Sequence, residues 1–222
     1  MKKTIYCTLD TETVGGAAKP TGMYNLGATI HDNEGNAFAK VNMLVMEHYE
    51  EIALDDYAKK NFHLYNERLQ SGELTAVATE QDAFNVISNL CKFYNVKYVM
   101  AYNSGFDFVK TICRDLLNDF EFIDLYLMAL QTITHKASYR KFCIENNLLS
   151  GSKKTCATSA EAVYAYITNN ADYKEEHTAL ADAEIEKEIF VACRKMHKRY
   201  DKNIHQWDCK YGKCFPKLAE KN

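Results

Sequence analysis

The sequence predicts a single α/β domain built on a mixed five-stranded sheet with helices on its faces. Three observations predict it. The chain opens with three apolar, strand-like runs joined by short turns, continues as strand–helix–strand, and ends in a mainly helical remainder. Its 222 residues suffice for one full domain with a buried core. A content of 47% hydrophobic and 26% charged residues is the balance of a globular chain, not a disordered one.

Thr4 to Leu9 is β-branched and apolar without a helical period, and is predicted as a buried strand. The loop Val14-Gly15-Gly16 to Gly22 follows, then a second strand from Tyr24 to His31. Asp32-Asn33-Glu34-Gly35-Asn36 has turn chemistry, because Gly and Asn accept the left-handed backbone a tight turn needs, and Ala37 to Met46 returns as a third strand. Thr79 and Asp82 fit a helix start ahead of the stripe Ala83, Phe84, Val86, Ile87, Leu90 and Cys91. Lys97 to Ala101 is too short for a helix and is predicted as strand four. A helix from Gly105 through Leu117 and strand five at Phe120 to Ile123 follow. Helical segments are expected from Asp124, over 137–147, 158–168 and 177–200.

Eight cysteines scattered through mostly apolar runs behave as small hydrophobes and suit a reducing compartment. Asp10 and Glu12 interrupt the apolar run near the N-terminus too early for a signal peptide, and no run approaches a membrane span, so a cytoplasmic protein is expected. With 27 Lys+Arg against 30 Asp+Glu the net charge is −3, which excludes indiscriminate electrostatic binding to phosphate.

Three clusters carry chemistry. In Leu9-Asp10-Thr11-Glu12-Thr13, the two acids stand at positions i and i+2 of a strand, on one face. Carboxylates so placed repel unless a hard cation such as Mg²⁺ sits between them; the alternative is a solvated strand end. In Ala101-Tyr102-Asn103-Ser104-Gly105-Phe106-Asp107, Asp107 falls near a helix start, where the helix dipole already favours a carboxylate. If strands one and four are parallel, their carboxyl ends meet at one edge and Asp107 faces Asp10. In His177-Thr178-Ala179-Leu180-Ala181-Asp182, an acid opens a long amphipathic helix, with Glu184, Glu186, Lys187 and Glu188 read as its solvated face.

Taken in order, Asp10-x-Glu12, Asn103-x-x-Phe106-Asp107 and His177-x-x-x-x-Asp182 resemble the DEDDh family of 3′→5′ exonucleases, which includes polymerase proofreading subunits. Asn25-Leu26-Gly27-Ala28, Phe122-Ile123-Asp124-Leu125 and the run His177-x-Ala179-x-x-Asp182-Ala183 extend the resemblance over residues 4–192. It implies a ribonuclease-H-like fold. It also implies two Mg²⁺ or Mn²⁺ ions, with Asp10 bridging both, Glu12 and Asp182 completing the first, and Asp107 holding the second. His177 is implied as the general base, a role suited to an imidazole near neutral pH. Thr11, Thr13, Val14, Asn103 and Phe106 are implied substrate contacts. The expected activity is release of nucleoside 5′-monophosphates from the 3′ ends of nucleic acid, with single-stranded DNA favoured over RNA. The alternatives are an exoribonuclease with the same site and a non-catalytic nucleic-acid-binding protein of the same fold.

Residues 1–193 are read as the exonuclease domain and 194–222 as an extension packed on it. The extension carries nine Lys+Arg against three acids, interleaved with Tyr200, Trp207, Tyr211 and Phe215. That is the composition of a single-strand binding surface or of a basic tail packed on the domain. His205, Cys209 and Cys214, with His197 nearby, have the donor types of a zinc site or are an ordinary histidine and free thiols. Lys153 and Lys154 lie in a polar loop that either meets phosphates or is simply solvated.

Overall fold

The computed structural model describes residues 4–15, 22–56, 58–109, 119–151, 155–197, 202 and 204–207. Strand β1 (Ile5–Val14) pairs antiparallel with β2 (Gly22–Asp32), which pairs with β3 (Ala37–Val45). The turn between β2 and β3 is set by its own sequence: the Asp32 carboxylate accepts the amides of Glu34 at 2.8 Å and Asn36 at 3.1 Å, and Gly35 sits at φ +86°. After β3 come α1 (Tyr49–Leu54), α2 (Phe62–Ser71), β4 (Thr75–Val77) and α3 (Glu80–Phe93). The expected start of α3 is present as a capping box between Thr79 and Asp82.

Strand β5 (Tyr98–Ala101) runs parallel to β1, and β6 (Glu121–Asp124) parallel to β5. Helix α4 (Gly105–Val109) follows β5; the rest of the helix expected there, 110–117, lies outside the described residues. Beyond β6 come α5 (Leu125–Ala129), α6 (Ala137–Glu145), a two-stranded hairpin of β7 (Leu149–Ser150) and β8 (Thr155–Cys156), α7 (Ala160–Thr168) and α8 (Ala179–Met196).

The main sheet has six strands in the order β4-β3-β2-β1-β5-β6, one more than expected. The addition is β4, parallel to β3 at the edge; three residues carry no readable period, so nothing in the sequence announces it. Without β4, the order 3-2-1-5-6 is the expected antiparallel meander extended by two parallel strands. The hairpin β7–β8 stands where a polar loop was expected, its tip at 152–154 outside the described residues.

Alternation along β1 divides the core. Cys7 and Leu9 face α3 together with Leu26, Val45, Phe84, Ile87 and Val99. Tyr6, on the opposite face, packs with Phe190 of α8 in a second cluster that includes Met100, Ile123, Tyr139 and Val163. Asp10 follows in the same even-numbered register as Tyr6, so the sheet delivers it to the α8 side. No helix of the described residues is long and apolar enough to cross a membrane.

Candidate active site

Both acids of the first motif lie within β1 rather than past its end, because the strand runs on to Val14. Ladder pairing sets Asp10 opposite Gly27 and Glu12 opposite Asn25, and the register shifts between Glu12 and Thr13. A bulge there redirects the backbone just after the second acid.

Helix α8 brings the third motif onto this spot. Its first turn rests directly on β2 at Gly27, where a Cβ would lie 2.0 Å from the Leu180 amide nitrogen. Only a residue without a side chain permits that approach. Asn25 completes the docking. Its side-chain oxygen accepts the Ala179 amide at 2.9 Å, while its Nδ2 donates to Asn42 Oδ1 at 3.0 Å and the Met43 carbonyl at 2.8 Å. The helix starts at Ala179, two residues later than expected, so His177 precedes it in a left-handed conformation, φ +57°. The His177 carbonyl accepts hydrogen bonds from Asn61 Nδ2 at 2.8 Å and the Tyr65 hydroxyl at 3.3 Å. Arg68 donates to Thr178 Oγ1 at 3.1 Å and pairs with Glu176, tying the same segment to α2.

One ligand atom from each of Glu12, His177 and Asp182 lies within 4.8 Å of the others. The second motif arrives through the parallel β1–β5 pair, as the topology argument expected. The buried Asp107 carboxylate accepts the Thr11 amide at 3.1 Å and the Thr11 hydroxyl at 2.7 Å through one oxygen. The structure thus brings Asp10, Glu12, Asp107, His177 and Asp182 to one end of the sheet.

A cleft of about 510 Å³ opens there, lined by Asp10, Asp182, Glu175, Glu186, Asn103, Tyr102 and Tyr126 among others. The turn carrying Asn103 (φ +59°) ends where the Phe106 amide donates to the Asn103 carbonyl at 2.8 Å. The expected substrate contacts divide. Asn103 is exposed in the cleft wall, while Thr13 and Phe106 are half-buried. The Thr11 hydroxyl is committed to Asp107. The Val14 side chain is buried with Tyr24, Leu44 and Ile52, and the contact expected at Thr13 and Val14 is one made by their backbone.

A correction concerns α8. Glu186 and Lys187, read as solvated, are both buried, while Glu188 is exposed. The spacing Asp182-x-x-x-Glu186 puts both acids on one helix face and was the signal available for finding Glu186. Glu175, two residues before His177, was also missed; its carboxylate stands 3.9 Å from His177 Nδ1. Of the other expectations, Cys209, Cys214, Lys153 and Lys154 lie outside the described residues. His205 faces Glu121 at 3.5 Å, and the His197 ring meets that of Trp207 at 5.1 Å.

Electrostatically the site is strained by its own acids. Burial, then Asp107, Glu186, Glu12 and Asp182, hold the Asp10 carboxyl well above the usual carboxylate range. Burial with Asp107 and Glu175 pushes Glu12 up to about 7. Burial with Glu175 and Glu12 pushes Asp182 up to about 8. Asp107 is raised to about 7 by burial against the opposing pull of its Thr11 hydrogen bonds. Among the described residues no lysine or arginine pairs with Asp10, Glu12, Asp182 or Glu186, and the buried Asp182 Oδ1 has no hydrogen-bond partner. An all-oxygen donor set with an orphaned buried acceptor fits a hard divalent cation, whose charge would reverse these shifts.

No family model matches the chain and no curated protein is similar to it in sequence. Among solved structures, E. coli exonuclease I in complex with a dT13 oligonucleotide is similar at 13% identity and a TM-score of 0.48, over 90% of this chain and 43% of that one. A product-bound structure of exonuclease I is similar at 13% identity and a TM-score of 0.49, over 93% and 46%. The chain spans less than half the length of both. The functional reading therefore rests on the site itself.

Proposed function

We propose that the protein is a metal-dependent 3′→5′ exonuclease of the DEDDh type, acting on single-stranded nucleic acid ends with DNA favoured over RNA. The single observation that carries the proposal is the convergence of Glu12, Asp182 and His177 within 4.8 Å, with Asp10 and Asp107 alongside. Three motifs distant in sequence meet in an order whose chemistry requires them to meet.

In this reading Asp10, Glu12 and Asp182 hold one cation, and Asp10 with Asp107 a second. Bound there, such ions would supply stabilisation of the negative charge that builds on the oxygens of a phosphodiester as it is cleaved. His177 takes the proton of the attacking water as its oxygen bonds to phosphorus. The bond from phosphorus to the 3′-oxygen breaks as the new one forms, that oxygen takes its proton from solvent water, and a nucleoside 5′-monophosphate is freed. The clamp of Asn61, Tyr65 and Arg68 on residues 176–178 fixes the histidine's backbone against the acids. Tyr102 and Tyr126, their rings edge to face at 5.6 Å, give the cleft an aromatic wall of the kind bases stack on. Residues 1–193 are proposed to suffice for this chemistry.

The test is a panel of 5′-labelled single- and double-stranded DNA and RNA with Mg²⁺ or Mn²⁺, with and without EDTA. A ladder shortening from the 3′ end of single-stranded DNA, abolished by EDTA, is expected. Degradation of RNA alone would replace the DNA preference with the exoribonuclease reading, and binding without cleavage would favour the non-catalytic one.

A further inference from the structure

The proposed reaction leaves two charged side chains of the cleft without a task, Glu175 and Glu186, and Glu186 is the more deeply buried of them. It lies one helical turn beyond Asp182 on α8 and is 3% exposed. Positions i and i+4 of a helix share a face, so the two acids project side by side into the cleft that Asp10 also lines. The Glu186 Oε2 accepts the Tyr102 amide at 3.0 Å, which hangs the turn leading to Asn103 and Asp107 from α8. One hydrogen bond does not account for a carboxylate at this place, since a glutamine would accept the same amide without adding charge to a buried acidic group. A second observation points to a missing positive charge: Asp182, 8% exposed, keeps its Oδ1 buried in the same cleft wall with no partner among the described residues.

Resting on the reading of the cleft as a cation site, we propose that Glu186 is a further cation ligand, sharing with Asp10 a divalent ion on the side of the cleft beneath the Tyr102–Ser104 turn. This adds a direct protein ligand to the ion otherwise assigned to Asp10 and Asp107. It also couples that ion to the turn presenting Asn103, since the same carboxylate serves both. Loading the site thereby orders a wall of the cleft.

The test is Mn²⁺ binding to the full-length chain, read by calorimetry and by electron paramagnetic resonance of free Mn²⁺, for the wild type, Glu186→Gln and Glu186→Asp. Glu186→Gln keeps the acceptor for the Tyr102 amide and removes the charge. The wild type is expected to bind two ions. Glu186→Gln is expected to bind one with unchanged affinity and the other about tenfold or more weakly, with Glu186→Asp between. A smaller rise in Tm on adding Mg²⁺ should accompany the loss. An unchanged two-site isotherm in Glu186→Gln, whatever its Tm, would overturn the proposal while leaving the cation site intact. A wild type that binds no divalent ion at millimolar concentration would overturn the site reading as well.

Discussion

Around His48 the carboxylates are satisfied by the protein; around His177 they are not. Glu47, His48 and Glu80 bring their ligand atoms within 4.8 Å of one another, as Glu12, His177 and Asp182 do. In the first cluster, Glu80 Oε1 accepts the Met23 amide at 2.7 Å and faces His48 Nε2 at 3.1 Å. Glu47 accepts the Glu80 amide at 2.6 Å, and Glu51 faces His48 Nδ1 at 3.1 Å. Gly22 lies against the imidazole, where a Cβ would come within 2.2 Å of the ring. That cluster is a knot joining the start of β2 to α3. In the second, the Glu12 and Asp182 carboxylates accept no hydrogen bond from the described residues. The residue types match; what separates the structural knot from the proposed active site is whether the acids find donors within the chain.

Substitutions should separate the two clusters. Asp10→Asn or Asp182→Asn should lower the nuclease rate by about 10³-fold or more, roughly 4 kcal/mol of barrier, and leave the fold intact. Removing one acid from a repelling group should also raise the Tm of the metal-free protein. Glu80→Ala should do the reverse. It strands the Met23 amide and His48, costs about 1–3 kcal/mol of stability, and leaves the rate of the folded enzyme unchanged. Activity assays beside thermal denaturation of the variants would show whether the effects sort this way.

His177→Ala should cost roughly 10²–10⁴-fold in rate, read in the same activity assay. Thr11→Val removes one of the two hydrogen bonds that Thr11 donates to Asp107 and should cost about tenfold, the scale of a bond to a charged group.

The pH dependence of stability sharpens the contrast further. Glu12, Asp107 and Asp182 have folded-state values raised above their unfolded ones, so the folded state binds more protons between about pH 4 and 8. Their contribution is fully present below that window and lost as pH rises through it. The metal-free protein should therefore lose stability on that account toward pH 8, and saturating Mg²⁺ should flatten the slope. His31 acts with the opposite sign. Its ring lies between the Thr8 hydroxyl and the Asp32 carbonyl, both at 2.8 Å, and burial pushes it down to about 4. Its contribution, on the order of 3 kcal/mol, is present above about pH 6.5 and lost as pH falls through 4. Thermal scans from pH 4 to 8.5 with EDTA and with Mg²⁺ would resolve the two opposing slopes.

Asp10, Glu12 and Asp107 were legible as a group because strand alternation and a parallel β1–β5 pair have few geometric solutions. Asp182 was legible because its helix had to pack on that sheet. Glu186 was not. A helix covered on one side by β1 and β2 and on another by α5 and α7 buries polar positions that a simple two-faced period assigns to solvent. Gly27 was visible as part of a strand pattern, but its purpose, the approach of the Leu180 backbone, depends on a partner 153 residues away. Strand β4 and the β7–β8 hairpin were too short to leave a period. The bend at His177 was hidden because it comes from long-range hydrogen bonds to Asn61 and Tyr65 rather than from local turn chemistry.

The central claim is that the unsatisfied acids exist to hold cations for phosphodiester hydrolysis. It is tested most directly by following a 5′-labelled single-stranded oligonucleotide with the wild type and Asp182→Asn, each with Mg²⁺ and with EDTA. The account predicts stepwise shortening from the 3′ end by the wild type with Mg²⁺ alone, and intact substrate in the other three reactions. Cleavage that survives EDTA or the Asp182→Asn substitution would contradict it, as would a wild type that leaves both DNA and RNA intact.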